Sequence, residues 1–204
     1  MLLIKHIDLL EKTIAEWQAS GLSVGFVPTM GALHQGHLSL IEQALLENDR
    51  VVCSIFVNPT QFNNPKDLEN YPNQIEEDFE LLKQKGCHLI FTPFKENMYP
   101  NGASSICFEL NDLDKQMEGA RRPGHFDGVC TIVSKFFELI KPKNAYFGEK
   151  DFQQLAIIRE LNKSQGFGIN IIGCPIIRES DGLAMSSRNT LLNNEERSIA
   201  PNIY

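Results

Sequence analysis

The sequence predicts an α/β fold, a Rossmann-like, doubly wound and mostly parallel sheet with flanking helices, and three observations support this. Short apolar runs alternate along the chain with longer amphipathic segments, which is the order of elements in successive βαβ units. Several of the runs are continuously apolar, as in strands covered on both faces. Polar segments containing glycine or proline follow four of the runs, and such sheets bind ligands at the carboxyl ends of their strands.

The predicted elements alternate regularly over most of the chain. The strands are the apolar runs at residues 24–27, 51–57, 89–91, 145–147 and 169–177. The helices have apolar residues at helical spacing: an early one carrying Trp17, one with Leu38, Ile41 and Leu45 on a single stripe, and residues 76–85, 129–140 and 152–161. Residues 94–128 are less regular and rich in Pro, Gly and Asn, and we expect a small hairpin or an excursion near residues 106–110.

Length and composition indicate a globular protein built around one main core. The 204 residues are 42% hydrophobic and 22% charged, close to the average for soluble domains. We expect one catalytic domain over residues 1–190, with residues 191–204 as the start of a linker. The net charge of −7 argues against a nucleic-acid partner, because phosphate backbones are bound mainly by Lys and Arg.

The cysteines and apolar runs predict a cytoplasmic location. The five cysteines are odd in number and form no CxxC pair, so we expect buried free thiols and neither disulfides nor a zinc site. Lys5 interrupts the first apolar run too early for a secretion signal. No run approaches the roughly 20 residues of a membrane span, so we expect no membrane contact.

The segment after the first predicted strand points to a phosphate-binding function. His34 and His37 flank Gly36 where a helix is predicted to begin, and Gly31 precedes them. Glycines allow close backbone approach, and a helix N-terminus attracts anions, so two added imidazole donors suit a triphosphate. The pattern is neither the GxGxxG loop nor the P-loop. The alternative interpretation is a pair of helix-capping or core histidines.

The complete set of motifs resembles one known family. The HxGH pattern at residues 34–37 is similar to that of the nucleotidyltransferase superfamily. Further segments at family-like spacing narrow the resemblance to the pantothenate synthetase family, over residues 2–204: residues 28–34, 56–62, 71–72, 122–126, 147–154 and 185–189. The resemblance implies an ATP-dependent ligase that joins (R)-pantoate to β-alanine through a pantoyl adenylate, releasing AMP and diphosphate.

The resemblance also implies an ATP site, with His34, His37 and Lys150 as catalytic residues. His37 is usually described as the proton donor, although its service is expected to be electrostatic. Asp151 would hold the ribose, and the backbone of Ile177 would meet the adenine. The implied ATP-binding residues are Met30, Gly31, Ala32, Leu33, His34, Gln35, Gly36, His37, Gly148, Glu149, Lys150, Asp151, Ile177, Met185, Ser186, Ser187 and Arg188.

The implied site for pantoate and β-alanine is neutral. Gln61 and Gln154 would bind the hydroxyl and carboxylate of pantoate without neutralising the nucleophile, and Gln61 would also touch β-alanine. Asn58 and Tyr71 would complete the site, and Phe62 would contact the gem-dimethyl group. We expect Mg²⁺ to be held chiefly by phosphates and water, so no protein ligand is named. The family resemblance further implies a homodimer.

Several of these residues also have simpler interpretations. Lys150 and Asp151 could form an exposed ion pair, and Ser186 and Ser187 could cap the helix that follows them. Residues 58–60 have the composition of a turn. Arg121, Arg122 and His125 match the family pattern but receive no role, and the acidic run at residues 76–78 is interpreted as a solvated helix start.

The departures from the family pattern leave alternatives open. Asn73 stands where Arg is usual, and Phe152 where Tyr is frequent. Family members usually continue into a small C-terminal domain that closes over the nucleotide. Without that domain we expect intact ATP and pantoate determinants but weakened turnover. Two rivals remain: another HxGH nucleotidyltransferase, against which the two glutamines argue, and a nucleotide-binding or assembly module without pantoate chemistry.

Overall fold

The structure is a computed structural model that describes residues 1–203. Its strands are β1 (Leu2–Ile4), β2 (Val24–Thr29), β3 (Arg50–Ile55), β4 (Leu89–Phe91), β5 (Asn144–Gly148) and β6 (Asn170–Cys174). Within the described residues they form one sheet in the order β1-β4-β3-β2-β5-β6, and every neighbouring pair is parallel. The predicted α/β fold class is therefore confirmed.

Helices cover both faces of the sheet. They are α1 (Ile7–Ala19), α2 (Gln35–Glu47), α3 (Pro65–Glu69), α4 (Ile75–Gln84), α5 (Lys95–Met98), α6 (Met117–Arg121), α7 (His125–Ile140), α8 (Phe152–Gln165) and α9 (Asn194–Ile199). One apolar cluster joins α1, α7 and α8 to the sheet, and a second joins α2 and α4 to it. Trp17 packs against the first cluster, as expected for a partly buried core residue.

The strand order creates a switch point between β2 and β5. From β2 the chain crosses to β3 on one side, whereas from β5 it crosses to β6 on the other. Ligands bind outside the carboxyl ends of strands at such a point. The loops after β2 and β5, which carry residues 30–37 and 148–151, therefore meet at one edge of the sheet.

One strand was missed, and one of the two alternatives for residues 106–110 is wrong. β1 was not predicted, because three residues are too few for a periodic signal. The hairpin near residues 106–110 does not form, because the backbone there bonds to helix side chains instead of to a strand. The N–H of Ile106 donates to Thr131 Oγ1 at 2.8 Å, and the N–H of Phe108 donates to Asp127 Oδ1 at 3.3 Å.

The boundaries of other elements also differ from the predictions. The predicted strands at 51–57 and 169–177 end earlier, at Ile55 and Cys174. Four cysteines are buried free thiols as expected, but Cys107 is exposed. The division at residue 190 remains a prediction, and Tyr204 lies outside the described residues. Within the described part of the chain, no helix is long and apolar enough to cross a membrane.

Candidate active site

A cavity of about 230 Å³ opens at the switch point and collects most of the predicted site. The loops after β2, β3 and β5 form its walls together with α7, and the segment after β6 closes one side. The predicted site residues that line it are Met30, His34, His37, Asn58, Gln61, Phe62, Tyr71, Gly148, Lys150, Asp151, Gln154, Ser186, Ser187 and Arg188. The structure therefore places all five predicted pantoate and β-alanine residues beside the three predicted catalytic residues.

The two histidines form a reciprocal cap at the start of α2. His34 Nδ1 accepts a hydrogen bond from the N–H of Gly36 at 3.1 Å, and His37 Nδ1 accepts one from the N–H of His34 at 3.3 Å. Because both Nδ1 atoms are acceptors, each neutral ring carries its proton on Nε2. The capping interpretation is thus correct, and it leaves two Nε2–H donors for a ligand.

Burial keeps these imidazoles neutral. Burial lowers the pKa of His37 to about 3, with His34 and Lys150 adding to the effect. Burial is also the main cause that lowers the pKa of His34, followed by the charge of Lys150. The ring centroids are 4.1 Å apart, so a charge on one ring would repel a charge on the other. In the ligand-free chain, both rings are hydrogen-bond donors and neither is a cation at neutral pH.

Gln61 is held in place by several neighbours. Its Oε1 accepts from Asn58 Nδ2 at 3.0 Å, and its Nε2 lies 3.0 Å from Met30 Sδ. Its backbone carbonyl lies 2.7 Å from His125 Nδ1 and accepts from Arg122 Nη2 at 3.2 Å. Arg122 and His125, to which the sequence assigned no role, therefore position Gln61.

Close packing of α7 supports the same segment. A Cβ on Gly128 would lie 2.3 Å from the carbonyl oxygen of Thr60, so only glycine fits at this crossing. The carbonyl of Gly128 accepts a hydrogen bond from Asn58 Nδ2 at 3.0 Å. The turn composition of residues 58–60 is borne out by a 3₁₀ turn over Pro59–Gln61, which α7 locks against the sheet edge.

The two adjacent glutamines of α8 have different surroundings. Gln153 is buried and bonds to backbone atoms at Leu113, Gln116 and Glu118. Gln154, the next residue, lines the cavity. The predicted substrate residue is thus the one that faces the cavity, whereas its neighbour fixes the irregular segment before α7.

The cationic side chains Lys150 and Arg188 of the site have acidic partners. Lys150 Nζ lies 2.9 Å from Asp151 Oδ1, so the ion-pair interpretation is correct. Both residues also line the cavity, and their binding role stays a prediction. Arg188 Nη2 lies 3.1 Å from Asp67 Oδ2. Ser186 Oγ accepts a hydrogen bond from the N–H of Arg188 at 3.3 Å, so Ser186 caps the short 3₁₀ helix Ser187–Leu191, in line with the helix-capping alternative.

Eight of the predicted ATP residues do not line the cavity. They are Gly31, Ala32, Leu33, Gln35, Gly36, Glu149, Ile177 and Met185. The carbonyl of Ile177 accepts from the N–H of Met185 at 3.0 Å. The amides of Ala32 and Leu33 donate to Asp78 and not toward the cavity.

Asp78 corrects the interpretation of the acidic run at residues 76–78. The side chain is 1% exposed, so Asp78 does not belong to a solvated helix start. Burial raises the pKa of its carboxyl, against the opposing effect of the hydrogen bonds from Leu33 and Ala32. The sequence signal that could have found it is the third position of the run, which falls on the buried face of α4 beside Leu82.

Comparison with known proteins identifies the family. The sequence model of the family described as Pantoate-beta-alanine ligase matches residues 2–204. The pantothenate synthetase of Phocaeicola vulgatus is 53% identical over 204 residues, which cover all of this chain and 72% of that protein. The pantoate–beta-alanine ligase of Schizosaccharomyces pombe is 48% identical over 205 residues, again covering 100% and 72%.

A solved structure agrees with these sequence relatives. The pantoate-beta-alanine ligase of Francisella tularensis, solved in complex with beta-gamma ATP and beta-alanine, superposes with a TM-score of 0.94 at 43% identity, covering all of this chain and 78% of that one. The sheet order and the cavity at the switch point are consistent with the family that these comparisons identify. The chain belongs to the pantoate–β-alanine ligase family.

Proposed function

We propose that the chain catalyses the ATP-dependent condensation of (R)-pantoate with β-alanine, giving pantothenate, AMP and diphosphate through pantoyl adenylate. The observation that carries this proposal is the division of one cavity into two chemical regions. His34, His37, Lys150 and Arg188 supply donors and positive charge, whereas Gln61 supplies a neutral amide beside them. The names of the relatives, and the neighbour solved with a nucleotide and beta-alanine, support the same reaction.

In the first step, the pantoate carboxylate attacks the α-phosphorus of ATP. A P–O bond forms to the carboxylate while the bond to the bridging oxygen breaks, and diphosphate leaves with the electron pair. Negative charge grows on the oxygens of the leaving group, where fixed donors and cations stabilise it. Lys150 and Arg188 exchange their carboxylate partners for these oxygens, and His34 and His37 donate through Nε2–H.

His37 acts by hydrogen bonding and electrostatics. Because its pKa is about 3 in the ligand-free chain, the ring is neutral at pH 7 and has one N–H to offer. Diphosphate at neutral pH is a stable leaving group and needs no full proton transfer. This agrees with the electrostatic service expected from the sequence and not with a proton donor.

The acid substrate is oriented by uncharged groups. Gln61 is fixed by Asn58, Arg122 and His125, so its amide is pre-organised before pantoate binds. Gln154 extends from α8 into the same cavity, and Phe62 packs edge-on against Tyr71 with ring centroids 5.7 Å apart. The groups assigned to pantoate are uncharged and leave its carboxylate the full nucleophilic charge. The guanidinium of Arg122, which also lines the cavity, is paired with Glu118 and with the carbonyl of Gln61.

In the second step, the amine of β-alanine attacks the acyl carbon of pantoyl adenylate. A C–N bond forms, the C–O bond to AMP breaks, and the amine loses a proton to solvent. Asn58, Tyr71 and Gln61 lie on the side of the cavity proposed for β-alanine. The chain spans 72% of the length of its Phocaeicola vulgatus relative.

Magnesium is proposed to enter with the triphosphate. Among residues 1–203 no group of three or more His, Cys, Asp or Glu side chains is placed to hold a metal ion. Asp151 lines the cavity but is paired with Lys150. This donor set fits Mg²⁺ carried by phosphate oxygens and water better than a protein cage. When bound, the ion would neutralise phosphate charge.

The test is ATP–pyrophosphate exchange with and without pantoate, in the absence of β-alanine. We expect exchange that requires pantoate and falls at least 100-fold in His37→Ala and Lys150→Ala, while Lys163→Ala, an exposed lysine of α8, stays unchanged. Pantoate labelled with ¹⁸O in its carboxylate should transfer one label to AMP when β-alanine is added. Exchange without pantoate, or unlabelled AMP, would overturn the proposal.

We also propose a homodimer that acts in the cytoplasm, where ATP and small acids are available. Met117 and Phe152 are 68% and 69% exposed. Met117 and Phe152 directly precede Glu118 and Gln153, and these two are joined by a hydrogen bond from the N–H of Glu118 to Gln153 Oε1. A second copy would bury this apolar surface. Sedimentation velocity of the chain and of Phe152→Ser tests the assembly, and a monomer at micromolar concentration would contradict it.

A further inference from the structure

Asp78 links α4 to the loop that precedes the histidine motif. Its Oδ2 accepts a hydrogen bond from the N–H of Ala32 at 2.9 Å, and its Oδ1 accepts one from the N–H of Leu33 at 2.7 Å. It is the only buried carboxylate among the described residues. Both of its oxygens are thus committed to two successive amides of one loop.

The loop has a conformation that needs such a partner. Gly31 has φ +89° and Ala32 has φ +51°, so a residue with a side chain occupies the left-handed region next to a glycine. Successive amides in a turn of this kind point to one side and form a concave site that favours an anion. The Asp78 carboxylate supplies that anion from within the protein.

The carboxylate acts from outside the active-site cavity. Asp78 and Gly31 line a neighbouring cavity of about 600 Å³, which shares Met30 and Phe56 with the active-site cavity, and neither Asp78 nor Gly31 lines the active-site cavity. Both oxygens of Asp78 are bound to loop amides, so we assign it no contact with substrate. Whatever it contributes to the reaction must pass through the loop.

The loop is connected to both chemical regions of the active site. On one side, Leu33 leads directly into His34, whose backbone N–H fixes the ring of His37. On the other side, Met30 contacts the amide of Gln61 through its sulfur at 3.0 Å. A shift of this loop would move the phosphate donors and the acid-binding amide relative to each other.

We propose that Asp78 is a positioning residue for adenylate formation: its carboxylate holds residues 31–33 so that His34 and His37 present Nε2–H to the transferred phosphoryl group. This rests on the function proposed above. Gly31 is part of the same device, because a Cβ at this position would lie 2.9 Å from Asp78 Oδ2 and 3.1 Å from Ile55 Cγ2.

The main test replaces Asp78 by Asn, which keeps the shape but removes the charge and turns one acceptor into a donor. We expect the exchange kcat to fall about 10- to 100-fold, because a small misplacement of catalytic groups has effects of this size. The Kd of a non-hydrolysable ATP analogue should change less than threefold. Asp78→Glu, which restores the charge, should recover part of kcat, and Glu77→Gln, an exposed neighbour, is the matched control.

A spectroscopic readout separates positioning from general stability. In the ¹H–¹⁵N NMR spectrum of the unaltered chain, the amide protons of Ala32 and Leu33 should resonate downfield of ordinary backbone amides. Both resonances should move with pH along one titration curve, that of the Asp78 carboxyl group. The ¹⁵N shifts of His37 should report a ring protonated on Nε2 alone, and Asp78→Asn should mix the two ring forms. The amide titration needs no variant, so it holds even if a substituted chain does not fold.

The outcomes distinguish this proposal from the one on which it rests. If the unaltered chain shows no pantoate-dependent exchange, the proposed function fails, whereas the amide titration still decides whether Asp78 holds the loop. Wild-type kcat in a folded Asp78→Asn chain would overturn the positioning role. So would an equal loss of kcat in Glu77→Gln, or Ala32 and Leu33 amides that do not titrate.

Discussion

Arg188 is paired with Asp67, with Nη2 of the arginine 3.1 Å and 3.4 Å from the two carboxylate oxygens. The guanidinium also lies 5.7 Å from the ring centroid of Tyr71. These contacts join the segment after β6 to α3 across the mouth of the cavity. The arginine proposed to bind the triphosphate is therefore already occupied by an internal anion.

The first prediction concerns this competition. Asp67→Asn should tighten ATP binding by up to about fivefold, because a partly exposed ion pair contributes about 0.2–1 kcal/mol that ATP must otherwise replace. Titration calorimetry with a non-hydrolysable ATP analogue measures the change. Glu69→Gln on the same helix is the charge-matched control. Weaker binding by Asp67→Asn would show that the carboxylate helps to hold the nucleotide.

The second prediction concerns the crossing of α7 over the turn that carries Gln61. Gly128→Ala should lower the midpoint of thermal unfolding by roughly 5 °C, because an added Cβ overlaps the carbonyl of Thr60. It should also raise the KM for pantoate, since the same turn positions Gln61. Gly148→Ala is the folding control: its φ is −75° and nothing lies within 4 Å of the added carbon. Equal stability of the two variants would contradict the packing argument.

The third prediction concerns acid stability. Burial lowers the pKa of His37 to about 3 and also lowers the pKa values of His34, His88 and His125. Below pH 6.5 the unfolded chain takes up protons at these rings before the folded chain does, so the free energy of unfolding falls as the pH is lowered.

His37→Gln should therefore flatten the decline of the free energy of unfolding between pH 6.5 and 4.5, by a slope equivalent to about one proton. Urea unfolding at several pH values measures this slope, and His6→Gln, at an exposed position, is the control. A slope identical to that of the unaltered chain would mean that His37 is readily protonated in the folded state.

The fourth prediction tests the neutrality of the acid site. Gln154→Glu should raise the KM for pantoate at least tenfold, because it places a second negative charge beside the substrate carboxylate. The Kd of a non-hydrolysable ATP analogue should change little. Gln165→Glu, at the exposed end of the same helix, controls for the added charge. An equal increase in both constants would mean that Gln154 does not face pantoate.

The strands, the main helices and the cavity could be predicted because each has a local signal. Apolar runs and glycine-containing loops mark the strand ends, and His34 and His37 are close enough in the sequence to be seen as a pair. β1 and the false hairpin show the limit of such signals. β1 has only three residues. The backbone amides of Ile106 and Phe108 bond to the side chains of Thr131 and Asp127 instead of to a second strand, and no local sequence pattern indicates these bonds.

The missed functional residues share one property: they act on backbone atoms distant in sequence. Asp78 binds amides 45 and 46 positions away, and His125 contacts the carbonyl of Gln61 across 64 positions. A side chain that binds a backbone group has no required partner type, so composition and spacing do not reveal it. Only the fold shows that these residues prepare the site.

The sequence separation between Asp78 and its loop also affects the order in which the two are synthesised on the ribosome. At about 5–20 residues per second, a ribosome adds the 46 residues from Ala32 to Asp78 in roughly 2 to 9 seconds. During that interval the histidine motif has been synthesised, but the acid that holds its loop has not. β1 can pair only after a longer interval, because its partner strand β4 begins at Leu89. In the nascent chain, the histidine motif at residues 34–37 is thus present well before Asp78 can hold the preceding loop in its folded conformation.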